Sequence, residues 1–456
     1  MHRLKILMGA IALALVLAGA AFAVNTGTAD FTTYVALGDS LTAGFSSGSL
    51  NRTYQVNSYP ALIYRQATGK TTGFEQPLVS EPGLPGILTL ASLRPLSIVP
   101  SGGSGQPLNL GLQRPYNNMA VPGARLHDLL TKTQSTSAND ITDLILRKLG
   151  FTQLQQGLSL KPTFVTLWIG NNDALAAATS GIAIPGVTLT PVEQFQADYT
   201  AVVNAIASTN AKMALANIPD VTSIPFVTTI SRFIVNPATN QPVLINGNPV
   251  PLIGPNGPLQ AGDFVLLTAT AELAQGRGIP TALGGSGLPL SDTSVLSAAE
   301  AATIKDYVNN YNAIIAKAAS DKNAAFVDTN ALLKDLAVNG IHLGGITYGS
   351  AFLTGGVFSY DGVHPTAFGY AYIANAFIGA INTKFGGDIP LVDLYPFVFG
   401  PLPKRAGKTP PPVVAPAEEL TSLVFTAEAR RSLLQSLGVP QWIVDGTRRP
   451  RPHRGN

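Results

Sequence analysis

Ser40, in the run Gly38, Asp39, Ser40, Leu41, and the pair Asp361 and His364, in the run Asp361, Gly362, Val363, His364, are residue types that carry acyl transfer. A serine hydroxyl is a weak nucleophile until a base takes its proton, and a third group must hold that base in the right tautomer. Ser40, His364 and Asp361 fit those roles in that order. Because the base must be neutral, turnover is expected to rise with pH as the histidine loses its proton. Each residue also has a plain structural use, since serine caps helices and aspartate is favourable near any helix start. Ser40 and His364 stand near opposite ends of the chain, so only the fold can join them.

The elements between them read as an alternation of strand and helix. Phe31 to Leu37, Thr163 to Ile169, Lys212 to Ile218 and Ala324 to Val327 are apolar runs that stop at glycine, proline or aspartate. Such runs suit strands buried on both faces of a parallel sheet with helices on either side. Phe195, Tyr199, Val202, Val203 and Ile206 share one helical face, as do Ile304, Tyr307, Val308, Tyr311, Ile314 and Ile315. Ser297 followed by Glu300 forms a capping box at the start of the second of these helices. The last helix is expected to start after His364 with Pro365 in its first turn and to end near Phe385. Lys70 to Pro115 and Val221 to Ser294 are rich in turn formers and read as insertions, either at the carboxyl edge of the sheet, where ligands bind in such folds, or packed against a remote edge.

Ester hydrolysis passes through a tetrahedral intermediate whose oxygen becomes negative, so donors must already point at that oxygen. Asn172, in Gly170, Asn171, Asn172, Asp173, offers a side-chain NH₂ just past a strand. Gly123, in Ala120, Val121, Pro122, Gly123, Ala124, offers a backbone N–H with no Cβ in the way, and Pro122 has none to give. The Ser40 N–H completes the expected hole, and Asp173 reads as a structural support.

With these four segments in order, namely Gly38 to Leu41, Asn118 to Gly123, Gly170 to Asp173 and Asp361 to His364, the chain resembles the SGNH or GDSL hydrolases. The resemblance covers about residues 31–385, with the two insertions as departures in length. It implies a flavodoxin-like three-layer α/β/α sandwich on a five-stranded parallel sheet, and an esterase or lipase that uses no metal or other cofactor. It leaves the acyl group and the alcohol open.

The chain has 456 residues, of which 46% are hydrophobic and 12% charged, as a large buried core requires. Arg3 and Lys5, the apolar run Ile6 to Ala21, and Ala21, Phe22, Ala23 read as a signal peptide over 1–23, cleaved after Ala23. The product is then expected to be secreted or periplasmic, with the hydrolase domain over 24–385 and the insertions at about 70–115 and 221–294. Residues 386–456 read as a proline-rich linker, through Pro410, Pro411, Pro412 and Pro416, and a basic tail. Within that tail Thr426 to Leu437 has the pattern of a short helix stopped by Gly438. There is no cysteine, which excludes disulfides and thiolate chemistry, and a net charge of +3 leaves no nucleic-acid footprint. Arg448, Arg449, Arg451 and Arg454 gather at the end of the chain, open to weak attraction by an anionic surface.

Two decoys fall away. Gly44, Phe45, Ser46, Ser47, Gly48 spells a nucleophile elbow, yet no strand leads directly into it and no helix follows. Lys70 and Lys408 lack the earlier glycine of a phosphate loop, because Tyr64 and Leu402 stand there. His2, His127, His342 and His453 form no metal-ligand spacing. The expected substrate is a small-molecule or lipid ester with a short or apolar acyl group, since ligand pockets are mostly apolar. Phe264 to Leu267 reads equally as acyl-pocket lining or as buried core. The alternatives are a carbohydrate O-acetyl esterase and a non-catalytic envelope binding protein on the same fold, because fold alone does not fix function.

Overall fold

Apolar side chains on both faces of short strands demand cover on both sides, and the computed structural model, which describes residues 24–93, 96–135, 141–400 and 423–446, supplies it. Strands β1 (Tyr34–Gly38), β2 (Phe164–Trp168), β3 (Lys212–Ala216) and β4 (Ala325–Val327) form one sheet in that order, all parallel. The helices that flank it are α1 (Tyr59–Thr68), α2 (Gln153–Ser159), α3 (Asn172–Ser180), α4 (Val192–Ala207), α5 (Ala298–Asp321), α6 (Thr329–Val338) and α7 (Ala367–Phe385). A further helix, α8 (Ala427–Ser436), follows near the C-terminus.

The two-residue period of the strands sorts the core into two halves. Val35, Leu37, Val165, Leu167, Met213 and Leu215 face α2, α3, α4 and α5. Tyr34, Ala36, Phe164, Trp168, Ala214 and Ala216 face α1 and α7, where Tyr59 stacks on Phe377 at 4.4 Å and Trp168 lies 6.0 Å from the same ring. The result is the expected three-layer α/β/α arrangement. The capping box of α5 is present, with the Ser297 hydroxyl accepting from the Glu300 N–H and the Glu300 side chain reaching back.

Three expectations need correction. Among the described residues the sheet has four regular strands, where five were expected. The fifth place, on the free edge of β1, is taken by an irregular run. Met119 N–H and Val121 N–H donate to Ala36 O and Gly38 O, and Ala36 N–H donates to Asn117 O, at 2.8–3.1 Å. Side-chain amides interrupt its regularity: Asn117 Nδ2 binds Tyr34 O, Asn118 Nδ2 binds Thr42 O, and Gln153 Nε2 binds both Gly38 O and Met119 O. Second, α7 starts at Ala367 with Thr366 as its cap, so Pro365 lies outside the helix and its carbonyl accepts from the Ser46 hydroxyl at 2.9 Å.

Third, the stretch 386–456 is not wholly a tail. Phe425, Ala429, Leu433 and Leu434 are fully buried, and Val424 and Phe425 pair in parallel with Ser97 and Ile98 of the first insertion. The leader at 1–23, the prolines at 410–416 and the arginines at 448–454 lie outside the described residues. The first insertion contributes an antiparallel ribbon, Leu88–Leu93 with Leu96–Pro100. The second forms small hairpins over a satellite core of Ile234, Leu252, Leu259, Val265, Ala269, Leu290 and Val295.

Because Phe377 locks α7 to both α1 and β2, truncation there is expected to be expensive. Phe377→Ala should destabilise the protein by about 3–5 kcal/mol in urea unfolding, while Val338→Ala, at an exposed helix end, should stay within about 0.5 kcal/mol of the parent.

Candidate active site

Successive elements lie on opposite sides of β1: the chain leaves Gly38, runs along one edge at 117–121, and returns to β2 on the other edge. That divergence opens a crevice beyond the carboxyl ends of the strands. Ser40 opens a single helical turn there, Ser40–Ala43, capped by Asp39, whose side chain accepts from Leu41 N–H at 3.0 Å. A side chain at Gly38 would strike the Trp168 carbonyl at 2.3 Å, so the tight approach of β1 to β2 needs glycine.

The loop before α7 brings His364 to this turn. His364 Nε2 lies 2.8 Å from Ser40 Oγ, and its Nδ1 lies 2.8 Å from Asp361 Oδ2. All three residues are buried. The Phe45 ring lies 4.9 Å from the imidazole, and Tyr370 donates to Phe45 O. The Asp361 carboxylate has further donors: Oδ1 accepts from Val363 N–H, His364 N–H and the Ser359 hydroxyl, and Oδ2 from Gly48 N–H at 2.7 Å. Burial pushes the Asp361 carboxyl up, but the facing His364 and these hydrogen bonds outweigh it and hold the group below the usual carboxylate range. An ionised Asp361 requires a proton on Nδ1 of a neutral His364, leaving Nε2 free to accept from Ser40.

Sequence reading missed the role of the decoy segment. Ser47 N–H donates to Ser359 Oγ at 2.8 Å, Gly48 N–H to Asp361, and Ser46 Oγ to Pro365 O, so the segment braces the loop that carries Asp361 and His364. No local pattern announces contacts between residues more than 300 positions apart. Of the run Phe264 to Leu267, Val265, Leu266 and Leu267 are buried core, although a side chain on Gly362 would touch Leu267 at 3.2 Å. The second insertion thus leans on the loop of Asp361 and His364, where Phe226 N–H also donates to Gly362 O.

Two of the three residues expected to donate to an oxyanion, Gly123 and Asn172, meet at one turn. Ala124 N–H closes it onto Val121 O at 3.0 Å, and Asn172 Nδ2 donates to Ala124 O at 2.9 Å. That bond uses one of two amide hydrogens and leaves the other for a ligand. Among the described residues no acceptor engages the Gly123 N–H. Asp173 is a support: its carboxylate accepts from the Thr190 hydroxyl at 2.6 Å and from Leu126 N–H at 2.9 Å, joining α3 to the chain beyond the turn. Burial raises its pKa to about 6. His127 lies 3.0 Å from Asp198, and His342 lies 2.9 Å from Thr347.

An apolar cavity of about 80 Å³ is lined by Leu41, Val363 and Pro365, the sequence neighbours of Ser40 and His364, and by Trp168, Leu333 and Ile373. Asp39, the other carboxylate at the nucleophile turn, is pushed up to about 6 by burial, against the Asn171 amide (2.8 Å) and the Leu41 N–H. A carboxyl whose folded pKa is raised stabilises the fold below its unfolded pKa, near 3.8, and that contribution is lost as pH rises through about 6. Urea unfolding from pH 4 to pH 7 should therefore show the stability of the parent falling relative to Asp39→Asn. A difference that does not change with pH would contradict the shift.

A family model for GDSL-like lipases and acylhydrolases matches residues 34–377. No protein of curated function matches the chain. Among solved structures, the chain is similar to an extracellular lipase from Streptomyces rimosus at 17% identity, covering 77% of this chain and 98% of that one, with a TM-score of 0.33. It is also similar to a catalytic mutant of an acetylxylan esterase from Geobacillus stearothermophilus, at 13% identity, 76% and 93% coverage and a TM-score of 0.33. An α/β-hydrolase enzyme from the metagenome of Lake Arreo, Spain, matches at 14% identity, 78% and 97% coverage and a TM-score of 0.34. Likeness at this level bears on neither substrate nor residue roles. With a family model spanning most of its length, the chain belongs to the GDSL-like lipase/acylhydrolase family.

Proposed function

We propose that the protein is an exported serine esterase that hydrolyses carboxylic esters through Ser40, His364 and Asp361. The observation that carries this reading is the unbroken relay from Ser40 Oγ through the imidazole to the Asp361 carboxylate, with 2.8 Å at each step. Ser40 Oγ attacks the ester carbonyl carbon while its proton passes to His364 Nε2. The C–O bond to the alcohol then breaks and the alcohol leaves with that proton. Water repeats the course on the acyl-enzyme: it gives a proton to His364, its oxygen bonds to the acyl carbon, and the carboxylic acid departs as Ser40 regains its hydrogen. Asp361 keeps the imidazole in the tautomer that accepts at Nε2. Ser40 N–H, Gly123 N–H and Asn172 Nδ2 are the donors for the oxyanion. The apolar cavity beside Leu41 and Val363 favours a short or apolar acyl group over a sugar acetate.

Ser40→Ala should abolish turnover of p-nitrophenyl butyrate and labelling by a fluorophosphonate, and Asn172→Ala should lower kcat on the order of 10² to 10³-fold. Parental rates in either variant would refute the assignment. Rates on butyrate and octanoate esters above that on acetylated xylan are expected, and the reverse order would favour the carbohydrate esterase. Export is read from the leader, and amino-terminal sequencing of released protein should begin at Val24, with retained Met1 as the contrary result.

A further inference from the structure

The turn that carries Gly123 does not by itself fix the direction of the Gly123 N–H. Val121, Pro122, Gly123 and Ala124 form a turn closed by a hydrogen bond, with φ +78° at Gly123. Proline in the second position cannot take positive φ, so the turn is type II. Types I and II share the closing hydrogen bond and differ in the peptide between the two central residues, which rotates by roughly 150° from one to the other. Here that peptide joins Pro122 to Gly123. Its rotation would turn the Gly123 N–H to the opposite side of the turn while the turn stayed closed, and both types accept proline in the second position. Something beyond the turn must hold the donor in place.

The C-terminal segment is packed against this point. A Cβ built on Gly123 would lie 2.9 Å from the carbonyl oxygen of Ser436, the last residue of α8, and one built on Gly438 would lie 3.4 Å from Gly123 O. The opposite side of the turn is tied down by Asn172 through Ala124 O. The segment is anchored in the core. Leu433 and Leu434 are fully buried, Phe425 N–H donates to Thr270 Oγ1 at 2.9 Å, and Arg430 donates to Thr293 Oγ1 at 3.3 Å and to Val444 O at 3.0 Å. It therefore joins both insertions to the turn, and α8 packs on α3, whose first residue is Asn172.

We propose that residues 423–446 are a positioning element for the oxyanion hole: by seating Ser436 and Gly438 on Gly123 they hold its N–H toward the oxygen that becomes negative. The segment acts through Gly123 without touching substrate. This inference rests on the ester-hydrolase reading of the site.

The test compares the parent with a chain ended at Gly400 and with full-length Gly438→Val, a β-branched residue placed at φ +70° where the end of α8 must re-form. Kinetics on p-nitrophenyl butyrate are paired with the affinity for a trifluoromethyl ketone, whose adduct with Ser40 bears an oxyanion, and with circular dichroism. The shortened chain should lose kcat on the order of 10²-fold and ketone affinity by a similar factor, with KM within about twofold, as expected when an interaction made only in the transition state is lost. A synthetic peptide of residues 423–446 should restore both. Where the shortened chain does not fold, Gly438→Val decides, and it should show the same paired loss at smaller size, about tenfold. Parental kcat and ketone affinity in a folded variant, or a change in KM alone, would overturn the proposal. Fluorophosphonate labelling of Ser40 in the parent reports on the hydrolase reading separately, so failure of that reading is distinguishable from failure of the positioning role.

Discussion

A buried negative charge is the constraint from which the site follows. Asp361 is fully buried, and an ionised carboxylate there is tolerable only if its lone pairs are met by donors. The chain provides five: the backbone N–H groups of Gly48, Val363 and His364, the Ser359 hydroxyl and the His364 ring. Meeting that demand pulls the 46–48 loop onto the 359–365 loop and fixes the imidazole in one plane. Once the ring is fixed, its far nitrogen falls on Ser40. The placement of the imidazole against Ser40 thus follows from solvating one carboxylate with protein dipoles.

The same logic extends outward in decreasing charge. Asp39 and Asp173 are buried carboxylates as well, but each lacks a facing histidine at hydrogen-bond distance and is pushed up to about 6. Asp39 binds Asn171, and Asp173 binds Leu126 N–H and Thr190. These contacts tie the nucleophile turn and the chain just past Gly123 to the start of α3. The insertions and the C-terminal segment complete the enclosure, since Phe226, Leu267 and Ser436 each approach a glycine of the site closely.

Much of this was legible in the residues, and the rest has identifiable reasons for being hidden. The four strands stood out because burial on both faces removes polar alternation, and their ends were marked by Gly38, Gly170, Pro219 and Asp328. Ser40, Asp361 and His364 were legible because each lies in a short run with a chemical use. The fifth strand, which only the family resemblance implied, has no regular counterpart among the described residues: Asn117 and Asn118 spend their side chains on backbone carbonyls, so the edge pairs without becoming regular. Pro365 read as a first-turn residue, but Thr366 is the better cap and takes that place. The Ser46 to Gly48 brace and the packing of Leu433 and Leu434 are long-range, and the patterns around them also fit a loop and a tail helix. Proline-rich sequence before α8 suggested a linker leading nowhere, which hid an element that returns to the core.

In the proposed hydrolase, the charge on Asp361 sets the tautomer of His364 and through it the reactivity of Ser40. Asp361→Asn keeps the size of the side chain and removes the charge, so kcat measured beside circular dichroism tests it most directly. A folded variant with kcat lowered on the order of 10⁴-fold is the predicted result. A folded variant that turns over p-nitrophenyl butyrate at the parental rate would show that Ser40 and His364 work without that charge.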